Sequence, residues 1–498
     1  MSTFHGLEMA RQALSAQQSA LYTTGHNISN ANTEGYSRQR VNFETMSPYP
    51  SASRNRPEMP GQMGTGVKTG SVERIRNQFL DYQFRAENSK SGFWTSKSEA
   101  LSRLERLMNE PSETGLSKTM DQFWQSLQDL SVNPGSSGER SVVAQRGLAL
   151  AETFNYTADS LESIRSDLKN EIDITVDSAN SLLSQINGIN EQIKEIEPHG
   201  YLANDLYDER DRLIDELSGI VNIKVSYTKS GSGALDIADG LATIDLVDNK
   251  GNAYTKLLDG DSAEIQKLSV AYSDKNNERH AVTGIAIGDN DPRPIADFQS
   301  AGSLKGTIEA YGYIYGEDVK GTYTDMLAHM DQMAEAFTKA FNEVHKDADG
   351  NSIEFFEFDA EAGAAASITV NQSIIDNPGL IIASADGSAG NGDNAAALAA
   401  VFDQALEDLD GVSVKKLYES RIGEMGVMAQ EANRMADNTE ILRSQVENQR
   451  LSVSAVSLDE EMSNMIKFQH AYNAAARSMT TIDEMLDRII NSMGLVGR

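Results

Sequence analysis

The chain has 498 residues, with 74 acidic and 43 basic side chains, a formal net charge of −31 and no cysteine. A surface this negative repels nucleic acids and anionic membranes, so we expect neither as a partner. The missing cysteines exclude disulfides, thiolate metal sites and cysteine nucleophiles. The N-terminal MSTFHGLEMA does not resemble a cleavable signal peptide and no stretch approaches roughly 18 apolar residues, so membrane insertion is not expected.

The first thirty residues predict a helix with a narrow apolar seam. Its strong positions recur every seven residues. They are Leu7, Leu14, Leu21 and Ile28. The second row of the seam is weak, because it holds Ala10, Gln17 and Thr24. Such a helix needs a partner to cover its seam.

The stretch TGHNISNANTEGYSRQ, Thr24 to Gln39, predicts the end of this helix. Its asparagines weaken helix propensity and can bind free backbone carbonyls at the helix end. They are Asn27, Asn30 and Asn32. Gly35 permits a turn, and Tyr36 is expected to anchor the connector, residues 35–76, that follows. Within it, residues 41–72 are rich in Pro, Gly and Ser, which predicts extended or hairpin structure.

The middle of the chain alternates between helical and strand patterns. Apolar residues spaced by three and four predict long, rod-like helices from about residue 77 to 219. Alternation at Val221, Ile223 and Val225 then predicts β structure, and helical spacing returns from Tyr311 to Val344. The expected domains are a terminal domain of 1–76 and 453–498, a helical rod domain of 77–220, 301–345 and 395–452, an outer β domain of 221–300, and a small β and loop insertion of 346–394.

The C-terminal helix has the clearest periodicity. Its two rows are Leu458, Met465, Tyr472, Met479, Leu486 and Met493, and then Phe468, Ala475, Ile482 and Ile489. Only Glu461 breaks the pattern. A full seam here and a half-seam at the N-terminus predict that the two ends pair as a coiled coil. The predicted fold is mainly α with inserted β segments (α+β): a long hairpin-like rod with paired terminal helices, a helical-bundle core and an outer β domain.

Patterns for catalysis and metal binding are incomplete. HKDADGNSIEFF places Asp347 and Asp349 as in a calcium loop, but Ser352 and Phe358 stand where glycine and a bidentate glutamate are required. The sequence contains no HExxH, GxSxG or kinase signature. We therefore expect no enzyme activity, no metal site and no cofactor.

The two ends together resemble a known family. TGHNISNANTEGYSRQRV resembles the N-terminal motif of flagellar rod, hook and hook-associated proteins, and SAVSLDEEMSNMIKFQHAYNAAARSMTTIDEMLDRIIN resembles their C-terminal motif. The long helical segment and NDLYDERDRLIDEL, Asn204 to Leu217, look like features of the members that form the first junction between hook and filament. Glu34, Ala455 and Ser457 depart from the residues usual in the family, and none of them occupies a heptad position.

The resemblance implies a structural protein that leaves the cell through the flagellar type III export apparatus, with an export chaperone, and polymerises at the hook tip. It implies contacts with its own copies, with the hook protein on one side and with the second junction protein on the other. The terminal helices of the family form the inner tube. The expected assembly residues are Leu7, Leu14, Leu21, Asn27, Ile28, Asn30, Asn32, Gly35 and Tyr36 in the N-terminal motif, and Leu458, Met465, Phe468, Tyr472, Met479, Ile482, Leu486 and Ile489 in the C-terminal seam.

Three other kinds of protein share part of this pattern. The hook and distal rod proteins share the terminal motifs but pass quickly into β structure, whereas this chain first has a long helical region. The filament protein and the second junction protein lack the Asn-rich Gly-Tyr motif. From another class, an acidic intracellular scaffold or chaperone would fit the composition but not the two motifs.

Overall fold

The fold is taken from a computed structural model of the chain. It describes residues 3–50, 54, 60–108, 115–273, 280–346, 353–386, 388, 390–409 and 411–492.

Helices dominate the described residues, as the hydrophobic periodicity predicted. They are α1 Thr3–Ser29, α2 Gln78–Met108, α3 Leu116–Val132, α4 Ser137–Ile196, α5 Asn204–Ile220, α6 Ser303–Tyr311, α7 Thr322–Val344, α8 Ala364–Ser367, α9 Gln372–Asp376, α10 Asp393–Ala400, α11 Val414–Ser454 and α12 Leu458–Ser492.

Strands are inserted between the helices, so the predicted α+β class is confirmed. They are β1 Gln39–Thr45, β2 Val67–Arg74, β3 Ile223–Thr228, β4 Leu241–Val247, β5 Ala253–Asp259, β6 Glu264–Ile265, β7 Leu268–Tyr272, β8 Val282–Ile287, β9 Tyr313–Tyr315, β10 Asp318–Lys320, β11 Phe356–Glu357 and β12 Thr369–Val370. The described sheets have the orders β1-β2, β3-β4-β5-β6, β10-β9-β8-β7 and β11-β12.

Helix α4 is a long helix along which the apolar core of the body extends. Its 60 residues make a rod about 90 Å long at 1.5 Å per residue. The Ser136 hydroxyl caps its first turn by accepting a hydrogen bond from the Glu139 amide at 3.2 Å. Its apolar row is buried from Leu161 to Ile193, against α3, α5, α6, α7 and the sheets. The rod-like helix expected from the spacing is therefore present.

An aromatic cluster lies where α3 and α7 meet the segment around β11. Phenylalanine rings cluster around Phe123, whose centroid lies 5.6 Å from that of Phe341 and 5.7 Å from that of Phe402. Phe123 and Phe341 are fully buried. This aromatic cluster anchors one continuous apolar core that extends along α4 to the sheets.

One part of the predicted helical region 301–345 is instead a β-hairpin. Strands β9 and β10 separate α6 from α7 and join the sheet of β7 and β8. The backbone φ values of Gly312, Gly316 and Gly321 are all positive, which ends the helix and permits the turn. The tyrosines and isoleucine between them favour strand, so the helical prediction was wrong over these few residues.

Helices α1 and α12 pack against each other, as the two seams predicted. They are antiparallel: a Cβ built on Gly6 would lie 3.1 Å from Ile482 Cδ1, while Arg38, beyond the other end of α1, binds Glu460 at the start of α12. The β1–β2 hairpin lies beside them, and its Phe43 ring is 6.1 Å from the Phe468 ring. We call α1, α12 and this hairpin the terminal module, and the remainder the body.

Candidate assembly interface at the terminal helices

Helix α1 buries its small side chains and leaves its large ones partly exposed. The fully buried positions are Ala10, Ala16, Ala20, Thr24 and Asn27. The four large residues of the predicted seam are only half-buried; they are Leu7, Leu14, Leu21 and Ile28. Small side chains allow α12 and the hairpin to approach α1 closely. The apolar surface of the larger residues is thus only partly used within one chain.

The predicted seam of α12 divides into two groups. The half-buried positions are Met465, Phe468, Met479, Ile482 and Leu486. The exposed positions are Leu458, Tyr472 and Ile489. Ile489 is exposed because it lies about two turns beyond Ile482, which is already opposite Gly6 near the start of α1.

A second apolar row on α12 was missed by the sequence analysis. Met462 and Ile466 follow Leu458 at steps of four residues, and both are more than half exposed. Met485 and Ile490 extend the exposed surface toward the other end of α12. The step of four is visible in the sequence, but the stronger seven-residue repeat predicts only the neighbouring seam that contains Met465 and Phe468.

The asparagines of the N-terminal motif have different roles. Asn27 is buried; its Nδ2 donates to the Gln39 carbonyl at 2.8 Å, and its Oδ1 accepts from the Gln39 amide at 2.9 Å. It therefore holds strand β1 against α1. Asn30 Nδ2 donates to the His26 carbonyl at 3.1 Å, which satisfies a carbonyl at the helix end. Asn32 is exposed.

The turn after α1 positions Tyr36 over this contact. Gly35 has a φ of +79°, a left-handed conformation that glycine adopts without strain. The Tyr36 hydroxyl donates to Asn27 Oδ1 at 2.8 Å. Burial and the charge of Asp205 raise the pKa of Tyr36 well above its usual range, so the hydroxyl stays a neutral donor.

Arg38 joins the N-terminal motif to the C-terminal one. Its Nη1 and Nη2 donate to the two carboxylate oxygens of Glu460 at 2.9 and 2.6 Å, and its Nε donates to Glu461 Oε1 at 2.8 Å. Glu461 is only 2% exposed. The one residue that breaks the heptad pattern is therefore a buried partner of an arginine 423 positions away.

On the body side of this contact lies a cluster of buried charges, which we call the arginine–aspartate cluster. Its members are Arg74, Arg76, Arg85, Arg450, Asp81, Asp208, Asp211, Asp215 and Asp239. Three of the aspartates lie on one face of α5, at spacings of three and four. The cluster brings together the end of β2, the start of α2, α5 and the end of α11.

Asp211 is the centre of the cluster. It lies 3.1 Å from Arg74 Nη1 and 3.2 Å from Arg85 Nη2, and it accepts a hydrogen bond of 3.0 Å from the Tyr227 hydroxyl. Burial alone would raise the pKa of Asp211, but the charges of Arg76, Arg74 and Arg85 outweigh it and hold that pKa far below its usual range. Asp211 is therefore ionised at neutral pH.

Asp208 connects the cluster to the N-terminal motif. Its Oδ2 accepts a hydrogen bond from the Ser37 amide at 3.0 Å, while its Oδ1 lies 2.7 Å from Arg74 Nη1. Burial raises the pKa of Asp208 above its usual value, although Arg74 and Ser37 oppose that shift. The spacing of the aspartates was legible in NDLYDERDRLIDEL, but their arginine partners come from three distant segments.

The charged groups at this junction are arranged for holding segments together. An open cleft of about 590 Å³ lies between loop 31–37 and helices α2, α5 and α11.

Among the described residues, no group of three or more His, Asp or Glu side chains is placed to hold a metal ion. The acidic turn at Asp347 and Asp349 lies outside the described residues. No described helix is long and apolar enough to cross a membrane.

Comparison with known proteins agrees with this architecture. Residues 101–356 match the model of the flagellar hook-associated protein FlgK helical domain. Residues 7–36 match the flagella basal body rod protein model, and residues 447–493 match the model of the C-terminal part of flagellar basal body rod FlgEFG proteins. The two terminal motifs thus match models of rod proteins, and the helical body matches a model of hook-associated proteins.

Full-length relatives give the same picture. Flagellar hook-associated protein 1 of Bacillus subtilis is 49% identical over 510 aligned residues, covering 100% of both chains. Its counterpart in Escherichia coli is 24% identical, over 97% of this chain and 98% of the relative. The solved flagellar hook junction protein FlgK from Burkholderia pseudomallei has a TM-score of 0.57 at 13% identity, over 75% of this chain and 100% of that one.

Proposed function

The chain belongs to the flagellar hook-associated protein 1 family, and on that premise we propose that it polymerises at the tip of the hook to form the junction between hook and filament. Its function is structural: it is an axial protein of the bacterial flagellum. The helical domain distinguishes it from hook and rod proteins, and the rod-like motifs at both ends distinguish it from an unrelated acidic scaffold.

The observation that carries the proposal is the apolar surface left exposed on the terminal module. Leu458, Met462 and Ile466 form a continuous exposed row on α12, and Phe4 and Tyr22 are exposed on α1. Exposed apolar rows do not stabilise a monomer, whereas neighbouring copies can cover them and bury their apolar surface. Repeated contact between two different faces of one subunit generates an open helical or ring-like array.

We propose these faces as the place where neighbouring axial proteins meet. The hook protein would contact one side of the array and the second junction protein the other. The site residues of the N-terminal motif and the C-terminal seam would act in this assembly. The proposed role needs no catalytic activity and no cofactor.

The proposed location is outside the cell, after passage through the flagellar type III export apparatus with an export chaperone. The net charge of −31 supports this route, because strong self-repulsion keeps unassembled subunits apart.

Immunogold labelling of intact flagella with an antibody to this protein tests the location. The expected result is one narrow labelled zone between hook and filament. Labelling along the filament, or no labelling of flagella in cells that contain the protein, would reject the proposal.

A double variant, Met462→Ser with Ile466→Ser, tests the assembly surface. Both side chains are exposed, so the free energy of unfolding of the monomer should change by less than about 0.5 kcal/mol per site. Cells carrying the variant should lose most filaments. Ile174→Ser, which removes a still more exposed isoleucine from α4 in the body, is the control and should grow filaments normally. Normal filaments with the double variant would contradict the assignment.

A further inference from the structure

Arg38 lies in the connector between α1 and β1, at the point where both chain crossings between the terminal module and the body meet. The crossings are the link from β2 to α2 and the turn from α11 to α12. The Arg38 amide donates to the Ser454 carbonyl at the end of α11 at 2.8 Å. The Arg38 carbonyl accepts from the Ile75 amide after β2, also at 2.8 Å. Its guanidinium holds Glu460 and Glu461 at the start of α12.

We propose that Arg38 is a positioning residue that sets the direction of the paired terminal helices relative to the body. Its consequence for assembly rests on the proposed function, because the exposed rows of α12 are useful only when presented at a fixed angle to the next copy. The contact itself is independent of that function. The Arg38–Glu460–Glu461 contact is hereafter called the clasp.

The geometry explains why an arginine at position 38 can bind both glutamates at once. The planar guanidinium fork fits both oxygens of Glu460 and still offers Nε to Glu461, which a lysine ammonium cannot do from one point. Asn27 holds the connector to α1, and Phe43 touches α12 through Phe468. Neither of these contacts reaches the first turn of α12, where its direction is set.

The charges around the clasp favour the ionised pair. Burial alone would lower the pKa of Arg38, but the hydrogen bonds and charges of Glu460 and Glu461 outweigh it and raise that pKa. The clasp faces the terminal module, while Arg74, Arg76 and Arg450 on the neighbouring crossings bind aspartates of the body. The joint is therefore held by ion pairs on both sides, and Arg38 supplies the pairs with the first turn of α12.

Replacement of the chromosomal gene by variants of the full-length protein tests this role. Arg38→Gln, and separately Glu460→Gln with Glu461→Gln, should lose most filaments. Arg40→Gln is the matched control, because Arg40 is an exposed arginine two positions away, inside strand β1, and it should grow filaments as the native protein does. Arg38→Lys should be intermediate, since a single ammonium replaces only part of the clasp.

A charge exchange separates positioning from mere loss of a side chain. Arg38→Glu alone should abolish filaments, and Arg38→Glu with Glu460→Arg should restore a measurable fraction of them. The main thermal transition of each purified variant should stay at the native temperature, because the clasp lies outside the body core.

Three results would overturn the inference: normal filaments with Arg38→Gln, no gain from the charge exchange, or a lowered main transition in the Arg38→Gln protein. Immunogold labelling of the native protein tests the proposed function independently of the clasp. Its absence would reject the proposed function, whereas its presence together with normal Arg38→Gln filaments would reject only the clasp.

Discussion

The body and the terminal module are both built mainly from helices with apolar seams, yet they bury those seams to different extents. Around Phe123 the body encloses its aromatic rings completely. In the terminal module the seam leucines of α1 are half-buried and part of the α12 seam is exposed. The body therefore encloses its aromatic core within one chain, whereas the terminal module leaves part of its seams uncovered. Between them lies a joint of ion pairs rather than an apolar core.

The largest expected effect is in the body core. Phe123→Ala removes a fully buried ring that touches several others, so the free energy of unfolding should fall by about 3–5 kcal/mol. Denaturant titration followed by circular dichroism measures it. Phe79→Ala, at an exposed position on α2, is the control and should change little. Equal effects at the two positions would contradict the conclusion that the rings around Phe123 form the stabilising core of the body.

The next effect is at the joint. Asp211→Asn leaves the arginines around it without their shared carboxylate, so the free energy of unfolding should fall by about 3 kcal/mol. Thermal unfolding at neutral pH measures the loss. Glu216→Gln on the exposed side of α5 is the control. A stable Asp211→Asn protein would show that the cluster is dispensable.

The same variant has a pH signature. The folded-state pKa of Asp211 lies below the unfolded value, so its stabilisation is fully present above the unfolded pKa and is lost as pH falls through the folded one. The free energy of unfolding of the native protein should therefore fall more steeply below about pH 5 than that of Asp211→Asn. Parallel curves would contradict the assigned ionisation.

A smaller effect is expected at the contact between α1 and its connector. Asn27→Ala removes the partner of the Gln39 amide and carbonyl and of the Tyr36 hydroxyl, which should cost about 1–3 kcal/mol locally. Faster proteolysis between α1 and β1 measures it. Asn32→Ala, at an exposed position in the same motif, should leave the cleavage rate unchanged.

The smallest effect is expected within the α12 seam. Ile482→Ala removes a half-buried side chain opposite Gly6, and its cost should be about 1 kcal/mol. Ile489→Ala, beyond the end of α1, should change the local stability by less than about 0.5 kcal/mol. Amide hydrogen exchange along α12 distinguishes the two. A large effect at Ile489 would mean that the monomer already covers that end.

Most elements were predictable because their signals are local. The long helix α4, the break before it and the β region after α5 follow from apolar spacing and turn residues. The hairpin of β9 and β10 was missed because three-residue strands are too short to interrupt a helical period. The pairing of the two ends was predictable from a different signal, the shared seven-residue repeat.

The sequence by itself determined most of the helices, the seven-residue repeats, the pairing of the ends and the two family motifs, since periodicity and motif are properties of neighbouring residues. Only the tertiary structure decided which face of α1 is buried, why Glu461 interrupts the heptad, and which arginines meet the aspartates of α5. These contacts join segments up to 423 positions apart, and no local pattern records which distant charge a buried carboxylate will meet.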